Sequence, residues 1–128
     1  MSLNTPLSVA RGLGSAKEGA HHWKAQRLTA IALIPLSIWF ICKITCLVGG
    51  SHADVISWIQ QPWTPALLIV LLFSLFYHMA LGLQVVIEDY VSTTWIKITL
   101  LLLTQFGSIL IGLGSIVSVL RIAMGDQG

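Results

Sequence analysis

The chain has 128 residues, of which 55% are hydrophobic and only 9% are charged, and its mean hydropathy is +0.85. Soluble domains carry about 25% charged residues, so this composition excludes an ordinary water-soluble fold and indicates one membrane domain. The net charge of +2 is small and its basic residues are scattered, which argues against nucleic-acid binding.

Three apolar runs predict an all-α integral membrane protein whose transmembrane helices span about residues 28–48, 64–88 and 96–120. Each run has the roughly 20 residues that a helix needs to cross a bilayer. Residues 1–27 form a polar segment ahead of the 28–128 anchor, and three glycines are expected to interrupt any helix there: Gly12, Gly14 and Gly19. On the flanks of the three spans, five basic residues lie on the same side of the membrane as the N-terminus and two lie on the opposite side. Basic residues favour the cytoplasmic side, so this count predicts a cytoplasmic N-terminus.

Two connections separate these spans. The segment Gly49–Trp63 contains no lysine or arginine and carries tryptophans, which is typical of an outer loop. The segment Glu88–Thr94 is expected to form the inner turn. Within the first span, Pro35 predicts a kink or a local loosening of the helix.

Small residues recur along the third span. Ser108 and Gly112, and again Gly114 and Ser118, are four residues apart, which is the spacing that lets two helix backbones approach closely. We therefore expect this face to pack against another helix.

His78 lies in the middle of the second apolar run. An ionisable group in a bilayer is costly and normally has a function. A neutral imidazole in a dry helix bundle is a suitable ligand for haem iron. The chain has no second histidine at membrane depth, so a haem held by two histidines would need its other ligand from another polypeptide.

Asp89 and Tyr90 follow His78 on the same predicted helix, where the apolar run stops. Eleven steps of 100° bring Asp89 to within about 20° of the face of His78, about 16 Å further along the axis. At a membrane surface, a phenolic O–H can donate a hydrogen bond to a quinone carbonyl, and a carboxylate can handle protons. A solvated helix end with an interfacial aromatic is the alternative interpretation.

The run GAHHWKAQRLTA, from Gly19 to Ala30, precedes the first span. A basic, aromatic run at this place is usually an anchor at the membrane surface. Arg27 lies at the boundary toward which a haem held by His78 would extend its propionates, and arginine pairs well with carboxylates. His21 lies six residues earlier and is expected to join it.

These motifs together resemble the small hydrophobic membrane-anchor subunit of succinate dehydrogenase, respiratory complex II, in its alphaproteobacterial and mitochondrial-type form. The resemblance covers nearly the whole chain. It rests on three runs: GSAKEGAHHW from Gly14 to Trp23, QRLTA from Gln26 to Ala30, and HMALGLQVVIEDY from His78 to Tyr90.

The resemblance implies a role for each candidate residue. His78 would supply one axial ligand of a haem b, and a second membrane anchor, the cytochrome b subunit, would supply the other. Tyr90 would hydrogen-bond ubiquinone with Asp89 beside it, and Arg27 and His21 would lie near the haem propionates. The three spans would pack with that second anchor into a helical bundle in a bacterial inner membrane or the mitochondrial inner membrane.

The resemblance also implies a division of labour. A flavoprotein would oxidise succinate, and an iron–sulfur subunit would pass the electrons to ubiquinone. This chain carries no nucleotide-binding motif and is expected to be no enzyme by itself. Three alternatives stay open: the anchor of a fumarate reductase, a small proton-conducting protein, and a purely structural anchor in which His78 is hydrogen-bonded to a neighbouring helix.

Overall fold

The computed structural model describes residues 16–125, and it is helical throughout that part of the chain except at short connections. No strand occurs within this range. In chain order the elements are α1 (Ala16–Leu47), α2 (His52–Ile59), α3 (Thr64–Tyr90) and α4 (Thr94–Ala123).

Three of these helices are long and apolar enough to cross a membrane, which confirms the predicted architecture of three transmembrane helices. The membrane-spanning candidates are Gly19–Leu47, Thr64–Tyr90 and Thr94–Ala123. The cytoplasmic placement of the N-terminus stays a prediction. Most of the predicted polar segment, residues 1–15, lies outside the described residues.

Helix α1 begins at Ala16 and continues through both Gly19 and Pro35, so the expectation that Gly19 interrupts a helix is wrong. One glycine in a helix costs only about 1 kcal/mol relative to alanine. The alanine, lysine and glutamate around it are good helix formers and offset that cost. As a result, the polar run before the first span is helical in its second half.

Two predicted connections are also shorter than expected. The segment 49–63 contains the eight-residue helix α2, which begins with a capping box between Ser51 and Asp54. Helix α3 continues to Tyr90, so only residues 91–93 are non-helical before α4. The Nζ of Lys97 donates a hydrogen bond of 3.0 Å to the backbone carbonyl of Glu88, which satisfies one of the free carbonyls at the end of α3.

Helix α3 lies in the middle of the fold, because it packs against both α1 and α4. Its buried apolar side chains form most of the small core of the chain, together with Trp58 of α2: Leu68, Leu71, Leu81 and Ile87. Many large apolar side chains of α1 and α4 are exposed on the isolated chain, as expected for surfaces that meet lipid or other membrane helices.

Helix α2 is held by its buried Trp58 and by the residue that follows its end. The ring centroid of Trp58 lies 5.8 Å from that of Trp39 and 6.4 Å from that of Phe40, both on α1. The Nε2 of Gln60 donates a hydrogen bond of 3.1 Å to the carbonyl of Ile122 at the end of α4. These contacts fix α2 across the ends of the spans opposite to Tyr90.

The predicted small-residue face is confirmed for Ser108 and Gly112, which are both buried. A Cβ atom added at Gly112 would lie only 3.3 Å from the ring of Phe76 on α3. The second pair behaves differently, because Gly114 and Ser118 are exposed and a Cβ at Gly114 would meet nothing within 4 Å. Only the first pair therefore brings α4 close to α3.

We predict that Gly112→Ala destabilises the α3–α4 pair. The added methyl group would press on the Phe76 ring, and overpacking of this kind costs on the order of 1 kcal/mol or more. The thermal unfolding midpoint of the purified complex in detergent should fall. Gly114→Ala is the matched control on the same helix, and equal loss in both variants would contradict the packing explanation.

A second prediction concerns the cap of α2, which lies outside the three candidate spans. The Asp54 carboxylate accepts hydrogen bonds from the backbone N–H of Ser51 at 2.6 Å and from its hydroxyl at 2.9 Å, and both lower the pKa of Asp54. A carboxyl group whose pKa is lower in the folded state stabilises the fold at pH values above its unfolded-state pKa. This contribution disappears as the pH falls through the folded-state pKa.

Acidification below the usual carboxyl range should therefore loosen α2 first. The measurement is hydrogen–deuterium exchange, expressed as protection factors of the α2 amides between pH 3 and pH 7. Protection in the wild type should decrease toward the acid end, whereas Asp54→Asn should show lower protection that hardly varies with pH. A wild-type profile that is flat with pH would contradict the role of this carboxylate.

Candidate functional site

His78 lies on the side of α3 that faces α1, where it forms a hydrogen bond between the two helices. Its Nδ1 is 3.0 Å from the hydroxyl oxygen of Thr29. Thr29 is buried, with 7% of its surface exposed, and His78 is half-buried. The intramembrane histidine is thus held by a residue that we did not single out from the sequence.

The Thr29 hydroxyl is also bonded within its own helix. Its oxygen lies 2.8 Å from the carbonyl of Ala25 and 3.1 Å from that of Gln26, to which it can donate. A hydroxyl has one hydrogen to donate and two lone pairs to accept with. The Thr29 oxygen is therefore able to accept a hydrogen bond from an imidazole N–H while it donates to a backbone carbonyl.

The second ring nitrogen of His78 is placed differently from the first. Nε2 makes no hydrogen bond with the described residues. Three buried polar atoms lack a hydrogen-bond partner in the described part of the chain: His22 Nε2, Gln26 Oε1 and Trp58 Nε1. Nε2 of His78 is not one of them, so it is not buried against this chain. A half-buried imidazole with one nitrogen anchored and the other open fits an axial ligand of haem.

A line of polar residues on α1 continues from Thr29 toward the start of the helix. His22, Gln26 and Thr29 recur at the spacing that places residues on one helix face. The Nε2 of Gln26 lies 3.7 Å from the position of a Cβ at Gly82, which is one turn beyond His78 on α3. Thr29 is therefore opposite His78, and Gln26 is opposite Gly82, as expected for antiparallel helices. The spacing of these polar residues was visible in the sequence, but the face of α3 that they meet was not.

Arg27 and His21 are both exposed, and they lie on other faces of α1 than Thr29. Two residues correspond to about 200° around a helix, so Arg27 is nearly opposite Thr29 on α1. Its guanidinium carbon lies 5.5 Å from the centroid of the Trp23 ring, at the distance of a cation–π contact. The structure does not bring either residue into contact with His78.

Asp89 and Tyr90 occupy the last turn of α3, and both are exposed, Tyr90 by 84%. His78 and this pair therefore share one continuous helix, separated by about 16 Å along its axis. The neighbouring Glu88 accepts a hydrogen bond of 2.8 Å from Gln84, so its carboxylate is already engaged. Asp89 and Tyr90 are accessible to a ligand at the end of the span.

Among the side chains that the structure describes, those of residues 19–125, no three of histidine, cysteine, aspartate or glutamate come together as a group that could hold a metal ion. His78 is consequently a single donor rather than a member of a metal cluster in this part of the chain.

Comparisons with known proteins identify the family of the chain. A family model described as succinate dehydrogenase/fumarate reductase transmembrane subunit matches residues 1–118. Among curated relatives, the succinate dehydrogenase hydrophobic membrane anchor subunit of Rickettsia bellii is 39% identical over 111 residues, which is 86% of this chain and 88% of that protein. The subunits of the same description from Rickettsia conorii and Paracoccus denitrificans are 40% identical over 98 residues and 35% identical over 88 residues.

The Rickettsia conorii alignment covers 75% of this chain and 77% of the relative, and the Paracoccus denitrificans alignment covers 67% of each. No solved structure matches the chain significantly. The family match extends over most of the chain, and the three apolar helices identify a multi-pass protein of an inner membrane. The chain belongs to the family of succinate dehydrogenase/fumarate reductase transmembrane subunits.

Proposed function

We propose that this chain is the membrane-anchor subunit of a succinate:quinone oxidoreductase, where it supplies one axial ligand of a haem b and part of a ubiquinone site. The complex would carry electrons from succinate to quinone in the tricarboxylic acid cycle and the respiratory chain. The chain would bind and orient these groups, while the oxidation of succinate takes place on other subunits.

The observation that carries this proposal is the arrangement of His78. The ring lies within a transmembrane helix, one nitrogen is anchored by Thr29, and the other has no partner among the described residues. Nε2 is not buried against the described residues, so it is accessible to a group that binds beside α3. An iron ligand at Nε2 would use this accessible nitrogen.

Haem b would supply a one-electron redox centre between this chain and its neighbour in the membrane. His78 would hold the iron from this side, and a histidine from the second membrane-anchor subunit, the cytochrome b subunit, would hold it from the other. Arg27 and His21 would lie near the propionates at the inner boundary, where both are exposed and available to carboxylates.

Ubiquinone would bind at the end of α3. Tyr90 would donate a hydrogen bond to a quinone carbonyl, and Asp89 beside it would assist the uptake of protons from water. Both side chains are exposed at the end of an apolar helix, where a lipid-soluble quinone would meet water. The distance of about 16 Å along α3 keeps this site separate from the haem.

The partners implied are the second membrane anchor, an iron–sulfur subunit and a flavoprotein. A fumarate reductase anchor is the closest alternative, because the family includes both kinds of complex and the direction of electron flow depends on the quinone and the other subunits. A purely structural anchor is the second alternative, and the hydrogen bond between His78 and Thr29 is the observation that favours it.

We predict that His78→Ala removes or strongly alters the b-type haem signal of the complex, because the iron loses its ligand from this chain. The measurement is a reduced-minus-oxidised visible spectrum of the complex purified with its partners. His52→Ala is a suitable control, since His52 is exposed at the start of α2, outside the candidate spans. A spectrum that is unchanged in His78→Ala would rule out His78 as a ligand and favour the structural anchor.

We also predict that Tyr90→Phe lowers quinone reductase activity roughly five-fold, which corresponds to the loss of one hydrogen bond worth about 1 kcal/mol. Succinate oxidation with an artificial soluble acceptor should stay nearly unchanged, because that reaction does not use the quinone site.

The other tyrosine of the chain provides the matched control for this experiment. Tyr77 lies within α3, where its ring stacks on Phe73 with 5.7 Å between the centroids, so Tyr77→Phe should leave both activities unaffected. Equal loss of both activities in Tyr90→Phe would indicate defective assembly and contradict a role in binding quinone.

A further inference from the structure

We infer that Thr29 is a positioning residue for the iron ligand: its hydroxyl accepts the Nδ1–H hydrogen bond of His78, which leaves the Nε2 lone pair free for iron and fixes the plane of the ring. The inference rests on the proposed function, in which His78 is an axial haem ligand. Nothing in the sequence motifs or in the comparisons assigns a role to Thr29.

The inferred direction of the hydrogen bond depends on where the single hydrogen of the Thr29 hydroxyl goes. The Thr29 hydroxyl has a single hydrogen, and two backbone carbonyls lie within its reach, at 2.8 Å for Ala25 and 3.1 Å for Gln26. With that hydrogen donated to the backbone, the 3.0 Å contact to His78 requires the imidazole to be the donor. Nδ1 then carries the ring hydrogen.

The opposite direction would be incompatible with binding iron. If Thr29 donated to Nδ1, the hydrogen of the neutral ring would sit on Nε2, and the one open nitrogen would have no lone pair to offer. The back-bond of Thr29 to its own helix therefore selects the ring tautomer that a metal needs. Ligating histidines generally donate their other N–H to a protein oxygen in this way.

Burial makes this contact effective. Thr29 is only 7% exposed, so water does not compete readily for either group. An acceptor at Nδ1–H makes the ring a better electron donor, which favours the oxidised iron and lowers the midpoint potential. Loss of the acceptor should therefore raise the midpoint potential of the haem and free the ring to rotate.

The experiment compares variants of Thr29 in the complex purified with its partners. Thr29→Val keeps the shape of the side chain but removes the hydroxyl, and Thr29→Ser keeps the hydroxyl. Thr45→Val is the matched control, because Thr45 lies on the same helix and makes the same kind of back-bond, 2.9 Å to the carbonyl of Cys42, while it is exposed and far from His78 along α1.

Three readouts report on the iron ligand rather than on the fold: the midpoint potential of the haem, the g-values of the oxidised haem in electron paramagnetic resonance, and the rate of haem transfer to apomyoglobin. In Thr29→Val we expect a higher midpoint potential, shifted g-values and haem loss that is about 10-fold faster. Thr29→Ser and Thr45→Val should behave like the wild type.

The inference is overturned if Thr29→Val keeps the wild-type potential and g-values, or if Thr29→Ser shifts them as much as Thr29→Val does. Where Thr29→Val does not assemble, Thr29→Ala removes the hydroxyl without adding a methyl group near the ring and should give the same shifts. Failure of all three variants to assemble, serine included, would show that the position serves packing and would also overturn the inference.

These outcomes differ from a failure of the proposed function. If the wild-type complex contains no b-type haem, or if the haem is unaffected in His78→Ala, the proposed function fails before Thr29 is considered. If the haem depends on His78 but does not respond to the loss of the Thr29 hydroxyl, only the inference about Thr29 fails.

Discussion

The hydrogen bond between the buried Thr29 and His78 joins α1 to α3. Between two helices in lipid, apolar side chains provide little preference for one contact over another, because the surrounding lipid is equally apolar. Lipid offers no hydrogen-bond partner that could replace Thr29 or His78, and leaving either group unpaired would cost about 1–3 kcal/mol. The pair therefore sets the register of α1 on α3, and Gln26 then comes to lie opposite Gly82.

The central position of α3 follows from contacts of two kinds on its two sides. Toward α1 the contact is polar, through His78, while toward α4 it is a close approach of Phe76 to Gly112. A Cβ at Gly112 would lie 3.3 Å from that ring, closer than side chains normally approach, whereas a Cβ at Gly114 would meet nothing within 4 Å. Helix α3 thereby carries the histidine inside the membrane and Tyr90 at its end on one rigid axis.

Three features could be predicted from the sequence, because each depends on local spacing along one helix: the three spans, the shared helix of His78 and Tyr90, and the close packing at Gly112. The partner of His78 could not, because helices that are apolar nearly all round give no signal of which faces meet. Helix α2 was missed because the cap formed by Ser51 and Asp54 resembles a polar loop in sequence. The early start of α1 was missed because the cost of Gly19 is smaller than the helix preference of its neighbours.

One consequence concerns the coupling between folding and ligation. Because Nδ1 of His78 bonds to Thr29, Nε2 is the ring nitrogen that remains accessible. The same contact therefore places α1 on α3 and orients the imidazole ring of His78. Docking of α1 on α3 and the binding of any group at Nε2 would therefore favour one another, because a group that binds only the folded state stabilises it.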